Sequence, residues 1–540
     1  MTNPVVDLAN ADCIFVIGSN FAENHPIVAR WVLDAKQRGA KLIVADPRYT
    51  ATAWNADIFL PLMPGTDTSL LNAMMHVIVE EKLYSQKFVN QRTTGFDAVL
   101  QLVSEHTPEI SEQITRVPAD RIIAAARAYA TASASSIIYC MGVTQHACGT
   151  NTVINCANLA MMCGQIGRPG TGVNPLRGQD NVQGACDMGA LPIYYPGYQS
   201  VTDTPTRAQF ASVWDCAPDD LSPNAGLTLV EIMQAAHHGD IRAMLIMGEN
   251  PIVVDPNSDH VRAALEHLDF LAIMELFMTE TAQLANVILP AASFAEKRGT
   301  KTATDRRVQW MERAIPPVGE TRADWQIIRD LAHRLDMRRV FPFFVEEDVF
   351  AEIRRVTPSY AGITPARLQA TIGGIAWPCP SAEHPGTPIL HSVDFKRPLG
   401  RGIMKPVACQ APIEEISTEY PLVLTCGRVV MHYNSGTMTR RTRALMGREP
   451  SLFVQLHPDT AKEYGILEGM ARVTTRRGQV VAQAKISRRI PEGVLFMPFH
   501  FPEMNLLTID ALDPTAKIPE YKVAACRIEP VPSEEPVFAP

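Results

Sequence analysis

No run of about 18 apolar residues occurs anywhere in the 540-residue sequence, so a helical membrane span is not expected. Basic tracts are missing as well, and the net charge is −8. A nucleic-acid surface or an anionic-membrane face is therefore not expected. The opening residues lack a basic segment and carry Asp7 and Asp12, unlike a signal peptide. Cysteine is present but unorganised: the 11 cysteines are scattered and no two stand at Cys-x-x-Cys spacing. That argues against a disulfide framework and against a zinc or iron-sulfur site built within the chain. No residue of this sequence is expected to ligate a metal. With 46% hydrophobic and 20% charged residues, what remains is an ordinary globular composition. The length suggests roughly three or four domains.

Cys13–Ile17 is a short apolar run of the kind that forms a buried parallel strand. Gly18-Ser19-Asn20 ends it, and Val28, Trp31, Val32 and Ala35 recur at helical spacing. Lys41–Ala45 reads as the next strand, followed at once by Asp46-Pro47-Arg48. In such a β-α-β unit ligands sit beyond the carboxyl ends of the strands. Gly18, Asn20, Glu23, Asp46 and Arg48 then share one rim. The first loop is not Gly-x-Gly-x-x-Gly, which disfavours an ordinary NAD site. Asp46-Pro47 reads equally well as a plain turn. Asp67 either accepts from a guanine edge or caps the helix that begins there, capping being the simpler reading.

The unit is spelled twice. Thr50-Ala-Thr52-Ala53-x-x-Ala56-Asp57-Ile58-x-Leu60-Pro61 returns as Thr279-Glu-Thr281-Ala282-x-x-Ala285-Asn286-Val287-x-Leu289-Pro290, at an offset of 229 residues. Gly248-Glu249-Asn250 mirrors Gly18-Ser19-Asn20, and Glu275 stands where Asp46 stands. This points to two homologous nucleotide-binding halves and a ligand with two nucleotide-like arms. The alternative is an old duplication in which one copy lost its ligand.

The stretch Gly167–Gly184 is glycine-rich and short of bulky apolar groups. It is expected to line a ligand by close backbone approach rather than to build a core. Arg177 can take a small carboxylate bidentately or sit in a salt bridge. Gln179, Asn181 and Gln183 could hydrogen-bond a polar ring system. Residues 341–412 are proline-rich and read as connections. From Tyr420 short β-like runs dominate, with Arg476-Arg477-Gly478 turning a hairpin, so a β-barrel is expected. The expected division is a first α/β dinucleotide-binding-like domain over 1–177 and a second over 178–340. An irregular connection over 341–412 and a barrel over 413–540 would follow.

Taken together, Gly142-Val143-Thr144-Gln145, Gly172–Pro192, Tyr195–Tyr198, His432–Thr439 and Glu520-Tyr521-Lys522 resemble the catalytic alpha subunit of molybdenum- or tungsten-dependent formate dehydrogenase. That enzyme is a member of the molybdopterin oxidoreductase (dimethyl sulfoxide reductase) superfamily. The resemblance implies one metal, Mo or W, held by two molybdopterin guanine dinucleotides. It would have Glu23, Asp46, Arg48, Asp67 and Gln145 hold one dinucleotide, and Asn250, Glu275 and Asp324 the other. Arg428, His432, Asn434, Asn505, Tyr521 and Lys522 would close the barrel over both pterins. Arg177 would orient formate, with Gln179 beside it, and electrons would leave through iron-sulfur or flavin subunits.

In that family a region with four cysteines for a [4Fe-4S] cluster, and a cysteine or selenocysteine that ligates the metal, precedes the part that matches here. The chain is thus expected to be a C-terminal portion, inactive alone, with the second half short of strands. Met1 is expected to be an internal methionine behind a UGA codon. The expected compartment is the cytoplasm, export being the alternative. The competing functions are a noncatalytic scaffold and a nitrate- or arsenate-type reductase. The clustered Arg177, Gln179, His432 and Lys522 argue against the first, and the Asn174–Gly184 run against the second.

Overall fold

The computed structural model describes residues 1–467 and 469–532, so the end of the expected barrel domain lies outside the described residues. The chain forms two compact units. One comprises 1–178, 253–258 and 389 onward; the other comprises 179–252 and 259–388.

The first unit opens with a parallel sheet of β1 (Cys13–Ile17), β2 (Lys41–Ala45), β3 (Ile58–Leu60), β4 (Ser135–Tyr139) and β5 (Gly172–Pro175). Their order is β3-β2-β1-β4-β5. β1 is buried at every position because both faces are covered. Cys13, Phe15 and Ile17 enter a core with the helices α3 (Asp67–Glu80), α4 (Ala119–Thr131) and α5 (Gly149–Met162). Ile14 and Val16 enter another, with Val28, Val32 and Ala35 of α2 (Pro26–Gln37). The short α1 (Phe21–Asn24) carries Glu23.

The glycine-rich stretch does build structure, contrary to expectation. Gly172–Pro175 is the edge strand β5, where the buried Asn174 donates from Nδ2 to Ser136 Oγ at 2.8 Å. Its glycines admit other parts of the chain. A Cβ at Gly170 would come within 2.4 Å of Asn10 O, and one at Gly172 within 2.2 Å of Thr2 Oγ1. Only Gly178, whose Cβ would meet the tip of Met141 at 3.3 Å, leaves room.

The second unit holds α6 (Val182–Asp187), α7 (Leu229–His238) and a parallel sheet in the order β8-β7-β6. Its strands are β6 (Ala243–Met247), β7 (Phe270–Glu275) and β8 (Val287–Pro290), with α8 (Ser258–Glu266) between the first two. Three strands stand where the first unit has five. One face packs on Met233, Ala236, Val261 and Leu265, while Leu245 and Met247 of β6 are 46% and 54% exposed.

The repeat has a structural content. Asn20 Oδ1 accepts from Thr52 Oγ1 at 3.0 Å, and Asn250 Oδ1 from Thr281 Oγ1 at 2.7 Å. Asp57 Oδ2 accepts from Leu42 N at 2.8 Å, and Asn286 Oδ1 from Leu271 N at 2.7 Å. Gly18 N donates to Ala45 O as Gly248 N does to Met274 O. The repeated letters thus spell the bonds that tie each first strand's turn to the second strand and its exit.

The stretch read as connections is partly ordered. β9 (Gly299–Thr302), β10 (Arg307–Met311) and β11 (Ile375–Ala376) form an antiparallel sheet. Val308, Phe350, Tyr360, Ile363, Leu368 and Ile375 make a core beneath it, with α9 (Glu346–Val356) contributing Phe350. Pro358 and Pro365 begin helical turns, where a missing N–H costs nothing. At these two positions proline marks the start of an element rather than loss of structure.

The barrel in the first unit is closed, in the order β12-β16-β13-β15-β14-β17. Its strands are β12 (Leu422–Gly427), β13 (Phe453–Leu456), β14 (Met470–Thr474), β15 (Gln479–Ile486), β16 (Val494–Pro498) and β17 (Ala524–Pro530). β17, which closes the ring, is hard to read from its letters, because Ala524-Ala-Cys-Arg-Ile-Glu529 carries one β-branched residue. Arg476–Gly478 turns the β14–β15 hairpin. Among the described residues no helix is long and apolar enough to cross a membrane.

Candidate cofactor site

In the first unit the strand order reverses between β1 and β4, which places a crevice beyond their carboxyl ends. The floor is built by glycine. Gly18 has φ +56°, and a Cβ there would come within 2.7 Å of Gly142 C, so the turns after β1 and β4 meet backbone to backbone. Gly142 N donates to Gly18 O at 3.1 Å.

Two knots of charge lie in this unit. The first joins Glu23, Asp46 and Arg48. Asp46 Oδ1 accepts from Arg48 N at 2.8 Å, and Arg48 Nε donates to Gln455 Oε1 of β13 at 3.2 Å. The guanidinium lies 3.5 Å from the centre of the Phe496 ring. Burial pushes the Asp46 carboxyl up to about 6, against the opposing pull of Arg48 and Lys522. Burial also raises Asp67, which opens α3 and feels both His146 and Glu520. Burial weakens the hold of Arg48 on its proton, although Asp46 and Glu23 oppose this.

The second knot surrounds Cys140. Burial raises its thiol, and Lys522, Arg428 and Arg177 all act to lower it, so three of the expected cations converge here. Lys522 Nζ donates to Cys426 O at 2.8 Å. Arg428 Nη1 reaches Gly178 O at 3.4 Å, and the guanidinium lies 5.1 Å from the Tyr433 ring centre. Its Nε is buried with no hydrogen-bond partner among the described residues.

Several residues given no role by the sequence position these groups. His25 Nε2 donates to Arg177 O at 2.7 Å, while its Nδ1 is buried without a partner among the described residues; burial lowers its pKa. His146 and Glu520 form a buried pair at 2.7 Å, and Ala147 N adds a bond to the same carboxylate at 2.8 Å. Glu520, two residues before Lys522, thereby ties the barrel to the turn that follows β4. His500 Nδ1 donates to Asn434 O at 2.6 Å and Nε2 accepts from Val429 N at 3.1 Å. That geometry requires a neutral ring, and burial lowers His500 to about 3. Each bond joins residues far apart in sequence, so no local pattern signalled it.

Other expected site residues have bonds within the protein. His432 is buried, with Nε2 on Glu449 O at 2.8 Å and Nδ1 on Thr439 Oγ1 at 3.2 Å. Asn505 Nδ2 donates to Val253 O at 2.7 Å, and the Tyr521 hydroxyl to Val254 O at 3.0 Å. Asn434 holds a left-handed φ of +48°. Gln145 follows the short helix after β4 and is half-buried.

In the second unit, Asn250 Nδ2 also donates to Glu280 Oε2 at 2.8 Å, beyond its bond with Thr281. Glu275 Oε1 accepts from Leu276 N at 2.6 Å, and Asp324 pairs with Lys297. Gln179 is half-buried in this unit. Asp187, of which no role is expected from the sequence, is a well-satisfied polar centre of this unit. The Asp187 carboxylate accepts from Gln183 Nε2, Tyr198 OH, Tyr360 OH and Trp377 Nε1, at 2.5–2.9 Å. It thereby ties α6 to the antiparallel sheet.

Half-buried guanidiniums at Arg48 and Arg428, the orphaned Nε of Arg428 and the buried ammonium of Lys522 make a donor set that a phosphorylated anion would neutralise. The sequence matches the molybdopterin oxidoreductase model over residues 1–334. It matches the molydopterin dinucleotide binding domain over 422–525. The chain belongs to the molybdopterin oxidoreductase family. It is 47% identical, over 98% of its length and 78% of the relative's, to the F420-dependent formate dehydrogenase 1 subunit alpha of Methanococcus maripaludis. It is 41% identical to formate dehydrogenase H of Escherichia coli, over 98% of this chain and 74% of that one. Among solved structures it resembles the acetylene hydratase of Pelobacter acetylenicus, with a TM-score of 0.76 and 21% identity. That likeness covers 97% of this chain and 80% of the other, and shows the fold.

Proposed function

We propose that this molybdopterin oxidoreductase chain serves as the alpha subunit of a formate dehydrogenase, oxidising formate to CO2. The observation that carries the reading is its 534-residue likeness to a formate dehydrogenase alpha subunit. Two molybdopterin guanine dinucleotides around Mo or W would supply the two-electron acceptor. On the first unit, Arg48, Arg428 and Lys522 would neutralise phosphate, while Glu23, Asp46, Asp67 and Gln145 would accept from or donate to the sugar and base. Asn434 would present backbone to the same ligand. His432, Asn505 and Tyr521, whose polar atoms are bonded within the protein, would shape the site rather than grip the ligand. On the second unit, Asn250, Glu275 and Asp324 would serve the second nucleotide. Arg177 would hold the formate carboxylate through two parallel N–H donors, its own carbonyl fixed by His25, with Gln179 nearby. No residue of this sequence is proposed as a ligand of the Mo or W centre or of a [4Fe-4S] cluster. Electrons would pass to iron-sulfur or flavin partner subunits.

The test is formate-dependent dye reduction by the purified enzyme, with metal and acid-released guanine nucleotide measured on the same sample. Two nucleotides per metal are expected. Arg177→Ala should abolish turnover with metal content retained, and Arg177→Lys should recover little because an ammonium lacks the planar fork. An unchanged rate and KM for formate in Arg177→Ala, or one nucleotide per metal, would overturn the reading.

A further inference from the structure

Arg177 lies just beyond β5, where strand pairing gives out. Leu176 N still donates to Tyr139 O at 2.9 Å. Past that point, side chains take over. Three carbonyls in succession are each met by a donor from a different element of the first unit. Cys140 Sγ, just past β4, reaches Leu176 O at 3.0 Å. His25 Nε2, between α1 and α2, donates to Arg177 O at 2.7 Å. Arg428 Nη1, just past β12, reaches Gly178 O at 3.4 Å.

A peptide group is planar, so a held carbonyl fixes the whole plane it belongs to. The planes that carry Leu176 O and Arg177 O flank the Arg177 Cα on its two sides. With both held, the Cα–Cβ bond of Arg177 has a set direction, and the guanidinium starts from a set point. Its charge is felt by Cys140 and Tyr139 at the exit of β4. His25 gives the firmer of the two holds, since a thiol is a weak donor.

His25 itself stands on a rigid base. Its N–H donates to Phe21 O at 2.8 Å, and its carbonyl accepts from Val28 N at 2.9 Å and Ala29 N at 3.1 Å. Phe21, Val28 and Ala29 are buried in one core. A carbonyl can only accept, so Nε2 carries a proton in this geometry. Burial favours the neutral ring, and Arg428 acts the same way, against the pull of the Arg177 bond.

We propose that His25 is a positioning residue for substrate binding: its ring holds the Arg177 backbone so that the guanidinium meets a small carboxylate with two parallel N–H donors. The inference rests on the reading of Arg177 as the residue that binds formate.

The experiment uses the loaded enzyme and two readouts, steady-state formate oxidation and calorimetric binding of nitrite to the oxidised form. Nitrite is a bent anion of formate's shape with no C–H bond to give up. In His25→Ala the KM for formate and the Kd for nitrite should rise by about tenfold or more, the share of one charge-assisted hydrogen bond, while kcat changes much less. Metal and nucleotide contents should match the wild type. His25→Gln, whose amide N–H can stand where the Nε2–H stands, should recover most of the loss. His25→Asn, whose amide stops short, should recover little. Arg177→Ala separates the two possible failures. If it leaves KM and nitrite affinity unchanged, the reading of Arg177 falls, and the role of His25 with it. If it abolishes nitrite binding while His25→Ala keeps the wild-type KM and affinity, the positioning role alone falls. A loss in His25→Ala confined to kcat, equal behaviour of His25→Gln and His25→Asn, or a parallel loss of metal and nucleotide would also overturn that role.

Discussion

The two sheets share a spelling but differ in environment, and the difference separates what the repeat encodes from what it does not. In both, an asparagine in the first turn takes a threonine hydroxyl, and an Asp or Asn after the second turn takes a backbone N–H of the middle strand. The shared letters are therefore scaffold letters. They explain the repeat without requiring that each copy hold a nucleotide. Burial diverges: β1 lies between two strands with both faces covered, whereas β6 is the last strand of its sheet among the described residues, with half-exposed apolar side chains.

The sharpest break in this comparison is predicted at repeat-related core positions. Phe15 in β1 corresponds to Leu245 in β6; the first is fully buried and the second 46% exposed. Phe15→Ala should cost about 3–5 kcal/mol through lost transfer energy and the cavity left behind. Leu245→Ala should cost under about 1 kcal/mol, because its surroundings are already wet. Urea unfolding, combined with hydrogen exchange at each strand, would measure both. Equal costs would mean that β6 is covered in solution and that the contrast between the sheets fails.

The paired asparagines should behave alike. Asn20→Ala and Asn250→Ala each leave a threonine hydroxyl and a carboxylate without their amide partner. Each should lose about 1–3 kcal/mol, with the two values within about 1 kcal/mol of each other. A large loss of bound nucleotide in Asn250→Ala with no loss of stability would show instead that this side chain serves the ligand.

These pairs also show what could be read from the letters. The strands Cys13–Ile17 and Lys41–Ala45 and the hairpin at Arg476–Gly478 were legible because a local period or turn specifies each. The convergence of Arg177, Arg428 and Lys522 was legible only through family likeness. The roles of His25, His146 with Glu520, and Asp187 were not legible, because each depends on partners up to 374 residues away. The glycines of Gly167–Gly172 misled for a related reason. A glycine that admits a ligand and one that admits the protein's own backbone look the same in sequence, and here residues 2 and 10 are what approach.

The smallest expected effect lies where the two halves differ in chemistry, at the acid that ends the second strand. Asp46 is followed two positions on by Arg48, Glu275 by Phe277. Burial is the main reason the Asp46 carboxyl sits at about 6 rather than near 3.8. Its folded-state pKa is above its unfolded value, so the favourable contribution is fully present below about 4 and is lost as the pH rises through about 6. Full burial would make that loss about 3 kcal/mol. Asp46 keeps some exposure, so about 1–2 kcal/mol is expected. Asp46→Asn keeps an oxygen to accept from Arg48 N and cannot ionise. In cofactor-free protein it should therefore match the wild type at pH 4 and be more stable by that amount above pH 6.5. With cofactor bound the advantage should shrink or reverse, since a hydroxyl or amino donor from the ligand would favour the carboxylate. Thermal melts of both forms from pH 4 to 8 check this, and an advantage independent of pH would show that Asp46 is not held neutral by its surroundings.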